Sequence, residues 1–399
     1  MAVCMYCGDS FIGDAFTSLC PTCRRRFREG AIRRCTACGK FIAEVDAIRV
    51  SVYGEESFIC RNCECHTVQC CVCGENTLVM TAVSNQSGTQ YACSHHGLAM
   101  CARCGELREV RMSTCNGSYC SECVKNDTSL LYLSRVESED LLKAYNYKPP
   151  KYKLQHNHEK QRIYLGFELE AGYLEDEVAQ AKAICNISDI LGDKGFLKHD
   201  GSIPKYGFEV VSQPMTRSVH RCTSWDTIIE AMRAEGMHIY KEVENPERDT
   251  HYPCGLHIHI NRNALSQQKW ITLDWFIQRF RKFWEVIGRR PQSEYARYKS
   301  LRCVQSKRFK LHEVCGVSSD RYQAVNFCNK DTVELRLFNS TLDYEVLMAT
   351  LEVVHAAVTW ADTVHACNIL KEGAVTSFMN HIKTHKQYEK AAKWLATLF

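Results

Sequence analysis

Apolar and polar positions follow two different periods along residues 162–399. In "YLGFELEAGY" they alternate, so a strand puts Phe167 and Leu169 on one face and Glu168 and Glu170 on the other. "KGFLKHDGSIPKYGFEVVSQPM" predicts two strands about a turn at Asp200-Gly201, and "CGLHIHINRN" predicts another alternating strand. "RYQAVNFCNKDTVELRLFNST" predicts a hairpin about Asn329-Lys330-Asp331. Between these, helical periodicity predicts helices over 176–191 and 218–236. It also predicts one long helix over "SQQKWITLDWFIQRFRKFWEVIG", with Trp270, Trp275, Phe276, Phe280 and Trp284 on its core face. Ser340-x-x-Asp343 reads as the cap of an apolar helix reaching about Ala366. Strands with helices grouped between them indicate an α+β domain with an antiparallel sheet.

Residues 128–161 break this pattern. One short helix is expected from Ser138 to Tyr145, with Ser138 as N-cap, before Pro149-Pro150 forces an extended path. His156 and His158 fall in polar surroundings and read as solvated. The stretch is a linker, and the second domain begins at about Arg162.

Cysteine governs the first 127 residues. Eighteen of the 25 cysteines lie between Cys4 and Cys123. Cys4-x-x-Cys7-Gly8, Cys35-x-x-Cys38-Gly39, Cys70-x-x-Cys73-Gly74 and Cys101-x-x-Cys104-Gly105 recur every 31 to 35 residues. Each precedes a second pair, Cys20/Cys23, Cys60/Cys63, Cys93/His96 and Cys120/Cys123, read as a second knuckle. Two knuckles close a tetrahedral site, so the array predicts four structural Zn²⁺ ions, three Cys₄ and one Cys₃His, in zinc-ribbon-like modules. Cys65, His66, Cys71, His95 and Cys115 are left over, and His66 or His95 could replace an assigned partner. Arg24, Arg25, Arg26, Arg28, Arg33 and Arg34 form a basic run, but acidic side chains balance basic ones over 1–127. Nucleic acid is therefore the less favoured partner, behind a protein or substrate.

The 399 residues suit two or three domains, and a formal net charge of +4 gives no general case for nucleic-acid or membrane binding. No apolar run approaches the ~18–20 residues of a membrane span. The opening "MAVCMYCGDS" has no secretory pattern, so a cytoplasmic location is expected.

The strands of the second domain share an anomaly. Glu168, Glu170, Glu209, His257, His259, Glu334 and Arg336 interrupt otherwise apolar strands. Carboxylates gathered on one buried face need cations, which points to Mg²⁺ or Mn²⁺, with Arg336 serving an anion such as phosphate. No Walker A loop or G-x-G-x-x-G appears, so a nucleotide here depends on metal and arginine.

"GFELE", "HDGSI…FEVVSQP", "CGLHIHI" and "RYQAVNF…TVELRLFNSTLD", spanning about 162–345, resemble the amidoligase family of carboxylate–amine ligases in the glutamine synthetase superfamily. The resemblance implies a glutamine-synthetase-like antiparallel sheet and an ATP site with two metal ions. It implies Glu168, Glu170, Glu209, His257 and Glu334 as ligands of metal or Mg-ATP, and Arg336 as the phosphate contact. Asp200 and His259 would line the substrate side. Arg321 and Asn326, and less directly Arg297, Arg302 and Lys307, would contact anions. The implied reaction joins a carboxylate to an amine through an acyl-phosphate, with the zinc array recruiting a macromolecular substrate. Other readings are a metal-dependent hydrolase, a kinase on the same fold, and a zinc-module adaptor. The architecture also resembles that of phage-encoded proteins, which would place the chain in a host cytoplasm.

Overall fold

The computed structural model describes residues 2–13, 18–114, 117–157, 163–203, 206–239, 254–290, 296–298, 321–369 and 373–399. The chain forms two compact units, Met1–Ser134 and Arg135–Phe399.

The first unit repeats one small motif four times. In each, the glycine after the second cysteine donates its N–H to the first cysteine's carbonyl: Gly8 to Cys4, Gly39 to Cys35, Gly74 to Cys70 and Gly105 to Cys101. These four glycines have φ between 73° and 79°, a backbone state that a side chain disfavours. A second bond recurs as well. The residue after each first cysteine (Met5, Thr36, Cys71, Ala102) donates to Ser18, Phe58, Tyr91 and Ser118, each two positions before the third ligand. The apolar core of each motif is small; around the first site Leu19 and Ile32 are buried with the thiols, and Tyr6, Phe11 and Phe41 pack against them half-buried.

A helix over Thr128–Ser138 leads out of this unit. It begins where Asp127 accepts from the amides of Ser129 and Leu130, and it ends at the residue expected to start a helix. The short expected helix of 138–145 is therefore not there. Asp140 takes a positive φ of 48°, and Leu142–Lys143 become a strand.

In the second unit the strands are β1 Leu142–Lys143, β2 Tyr164–Ala171, β3 Gly195–Lys198, β4 Phe208–Ser212, β5 Met215–Thr216, β6 Gly255–Asn261, β7 Val325–Asn326 and β8 Thr332–Asn339. The sheet order is β1-β3-β4-β2-β6-β8-β7, with β5 also paired to β2. All pairings are antiparallel except β1 with β3. Mixed helix and sheet is the fold class observed. Leu165, Phe167, Leu169, Val210, Ile258 and Leu335 enter the main core on one face. Trp225 of the helix Trp225–Ala234 meets Phe167 edge-on at 4.8 Å between ring centroids.

Helix 176–191 is found as Glu177–Leu191, capped by Asp176 accepting from Ala179 N. Two other helices differ from expectation. The stretch 218–236 divides into Arg217–Cys222 and Trp225–Ala234, and the break lets the Trp225 indole N–H reach His220 Nδ1 at 3.2 Å. The long aromatic helix divides at Phe280 into Gln267–Arg279 and Arg281–Gly288, with Phe276 and Trp284 both packed on Phe378. The last long helix, Tyr344–Thr363, is capped by Asp343, which accepts from the amides of Glu345 and Val346. Ser340 is not the cap: its hydroxyl bonds to Glu170 O in the sheet.

Candidate functional site

Four clusters in the first unit bring ligand atoms within 4.8 Å of one another: Cys4/Cys7/Cys20/Cys23, Cys35/Cys38/Cys60/Cys63, Cys70/Cys73/Cys93/His96 and Cys101/Cys104/Cys120/Cys123. These distances suit zinc. The second pair is not another knuckle. Cys20, Cys60, Cys93 and Cys120 each stand just before a short helix or 3₁₀ turn, and the fourth ligand lies three residues on. The donor set fits a cation with thiolate ligands. Cys4 Sγ accepts from Cys20 N at 3.4 Å, Cys35 Sγ from Cys38 N at 3.5 Å, Cys70 Sγ from Val72 N and Cys93 N at 3.4 Å, and Cys101 Sγ from Cys120 N at 3.5 Å. Burial opposes ionisation of these first thiols, yet the converging amides bring Cys4, Cys35, Cys70 and Cys101 down to about 6. His96 Nε2 is buried without a hydrogen-bond partner, whereas His95 is exposed, so the third cluster takes His96. Cys65, His66 and Cys71 are exposed and outside these four clusters. Cys115 and His158 lie outside the described residues. In the basic run, Arg33 pairs with Glu44 at 2.7 Å.

In the second unit, register decides which side chains meet. Glu170 lies opposite Glu209, and Glu209 opposite Lys198. Glu168 lies opposite His257, His259 opposite Glu334, and Glu334 opposite Asn326. Because side chains alternate, these residues and Arg336 share the face turned away from Phe167 and Leu169. His257 Nδ1 is 3.2 Å from Glu168 Oε2 and 3.7 Å from Glu334 Oε1, and its Nε2 is 3.7 Å from Glu170 Oε1. His259 Nε2 is 3.3 Å from Glu168 Oε1. Arg336 donates to Glu334 Oε1 at 2.5 Å and Asn326 to Oε2 at 2.8 Å. Gly255 N donates to Glu170 Oε2 at 2.5 Å. A side chain at Gly255 would begin 2.8 Å from His257 Nε2 and 3.0 Å from Arg290 Nη1, and so would push both away from Glu170.

The electrostatics are those of a face short of positive charge. Burial, then the Glu168 charge, pushes Glu209 up to about 8 even though Lys198 pairs with it. Burial opposes charge on His259, but Glu168 and then Glu334 raise it to about 9. Glu168 is held well below the carboxylate range by His259 and His257, against its burial. Protons on Glu209 and His259 thus neutralise negative charge that a cation would otherwise balance. Glu168, His259 and Glu334 bring three ligand atoms within 4.8 Å of one another, and a carboxylate–imidazole set of this kind, half-buried at Glu168 and His259 and buried at Glu334, suits a divalent ion.

Among the described residues, the other expected ones do not contact the carboxylate–imidazole cluster directly. Asp200 is turned into its own loop, accepting from Ser202 N and Oγ at 2.7 Å. Arg297 is exposed and pairs through its backbone with Tyr322 and Ala324. Arg302 and Lys307 lie outside the described residues. Arg321 is exposed, and it donates to the Tyr145 hydroxyl at 2.9 Å.

The chain matches no family model and no curated protein. Residues of this face absent from the sequence reading are Lys198 and Arg290. Lys198 had a signal, a charged residue in the apolar strand "GFLK", and the register sets it directly opposite Glu209. Arg290 had none: it follows the end of an aromatic helix with no motif about it, yet it is 6% exposed, and Glu170 is the foremost charge supporting it against burial.

Proposed function

We propose that the second unit is an ATP-dependent carboxylate–amine ligase, and that the Cys-rich unit recruits a macromolecular substrate or partner. The carrying observation is the convergence of Glu168, Glu170, Glu209, His257 and Glu334 on one sheet face beside Lys198 and Arg336. Supporting it is the motif resemblance to the amidoligase family over 162–345. A buried acidic face with no glycine phosphate loop favours a nucleotide held through metal and basic side chains. Glu168, His259 and Glu334, with Glu170, Glu209 and His257 around them, would hold Mg²⁺ or Mn²⁺, which supplies charge neutralisation for phosphoryl transfer.

In this reading a substrate carboxylate oxygen attacks the γ-phosphorus of ATP, and the bond to the β-phosphate oxygen breaks, releasing ADP. Arg336 and Lys198 offset charge on the transferring group. An amine nitrogen then attacks the acyl carbon; the carbon–oxygen bond to phosphate breaks, and the nitrogen gives up its proton to form the amide. With all zinc ligands supplied by protein, the first unit keeps no open coordination position, which favours a binding role for it.

The test is ADP release by the full chain with Mg-ATP across panels of carboxylates and amines. Release that requires both partners, and falls at least about a hundredfold in Glu334→Gln, is the expected result. Release with a carboxylate-independent phosphorylated product would replace the ligase by a kinase. No ATP binding in the presence of Mg²⁺ would refute both.

A further inference from the structure

The segment that enters the second unit from the Cys-rich one does more than connect. Leu142 and Lys143 pair with Leu197 and Lys198, which adds this segment to the sheet as its edge strand beside β3. Tyr147 then packs edge-on against Phe196 at 5.3 Å. Phe196 lies opposite Val211, and Val211 opposite Glu168, so Tyr147 sits on the face that carries the acidic cluster. Farther on, Lys153 N donates to Gln213 Oε1 and Gln155 N to Pro214 O, fixing the exit of the segment. Between these anchors stands Tyr145.

Tyr145 touches both sides of the site. Lys198 Nζ lies 5.8 Å from its ring centroid, and Arg321 donates to its hydroxyl at 2.9 Å. Arg321 also lies over the Tyr322 ring at 5.4 Å, and Arg336 over the same ring at 5.9 Å. Arg336 closes the circuit on Glu334. Three cations, Lys198, Arg321 and Arg336, are thus linked by two tyrosine rings beside an anionic floor. Each aromatic face attracts a cation, so the rings hold like charges near one another that would otherwise separate. Such a grouping of like charges is stabilised by an anion with several charged oxygens.

We infer that Tyr145 is a positioning residue of the site: it holds Lys198 and Arg321 to receive the polyphosphate of the nucleotide, so the connecting segment is one wall of the active site. This rests on the ligase reading for the identity of the anion. The hydroxyl accepts from Arg321 and keeps its own O–H to donate to a phosphate oxygen.

The experiment is calorimetric titration of the full chain, as wild type, Tyr145→Phe and Tyr145→Ala, with Mg-ATP and separately with Mg-tripolyphosphate. Tyr145 is 46% exposed, and thermal midpoints within a few degrees of wild type will show that each variant folds. Tyr145→Ala is expected to weaken both ligands about tenfold, and Tyr145→Phe, which keeps the ring over Lys198, by about threefold. Bound Mg-tripolyphosphate is also expected to slow tryptic cleavage after the exposed Lys151 and Lys153 in wild type but not in Tyr145→Ala. Wild-type binding of both ligands with unchanged binding by Tyr145→Ala overturns the role of Tyr145 alone. Loss of Mg-ATP binding with tripolyphosphate unaffected would also overturn it, by making Tyr145 a platform for the base. Wild type that binds neither ligand removes the ligase reading and this inference together.

Discussion

His220 carries no charge in the folded protein, and its partners show why. Leu165 O can only accept, so Nε2–H donates to it at 2.9 Å; the Trp225 indole can only donate, so Nδ1 accepts from it. Both nitrogens are used by the neutral ring, and complete burial brings its pKa down to about 4. The unfolded chain, with a value of about 6.5, binds the proton more readily between those limits. Stability from His220 is therefore fully present above pH 6.5 and is lost as pH falls towards 4. The loss amounts to about 3 kcal/mol. Denaturant unfolding of wild type and His220→Gln at pH 7 and pH 4.5 should show the larger decline in wild type; equal declines would mean the ring is protonated without penalty. At this scale the sequence revealed chemistry unevenly. The residues of the acidic face were legible because a glutamate or histidine is conspicuous between Phe167, Leu169 and Ile258. His220 and Arg290 were not, because a burial partner such as Trp225 or Glu170 comes from a different element.

Elements were legible where one local rule set them. The knuckles are the clearest case: Gly39 N–H turns back to Cys35 O at φ 78°, and a Cβ there pays the left-handed penalty. Gly39→Ala should lower the stability of the second cluster's module by about 1 kcal/mol, read as earlier zinc release to a chelator. Release at the wild-type rate would mean the turn tolerates the side chain. Asp343 gives a parallel case at a helix end: Asp343→Ala should cost about 1 kcal/mol of stability in the second unit, while Ser340→Ala acts through the sheet instead. Serine was the wrong cap because Glu170 O, a tertiary partner, claims its hydroxyl. The divided helices have the same origin. Helical periodicity continues through Thr223 and Phe280, but the chain turns there so that Trp225 reaches Phe167 and Trp284 reaches Phe378. Periodicity records which residues are buried and not where a buried helix must bend.

At the scale of the molecule, the two units draw stability from different sources. The second has a continuous apolar core running from Ile163 to Leu395, large enough to fold on burial alone. The first has only small clusters, and in those around the first three sites the buried members include the thiols themselves, as with Cys70, Ala92 and Cys93 around the third. A structural zinc ion contributes about 10–16 kcal/mol in modules of this size, more than such cores supply. Native mass spectrometry should therefore find four zinc ions per chain, and chelation should unfold the first unit while the main thermal transition of the second persists. Alkylation separates the assigned ligands from the others. With zinc bound, Cys65 and Cys71 are exposed and outside the four clusters, so among the described thiols of the first unit they should react first, alongside the exposed Cys222, Cys328 and Cys367 of the second. Cys7, Cys38, Cys73 and Cys104 are equally exposed but should react only after chelation, because coordination removes the thiolate's nucleophilicity. Protection of Cys65 or Cys71 in place of a cluster thiol would reassign the ligands. If the first unit kept its structure after zinc removal, its small cores would have to be sufficient, and metal would not be what folds it.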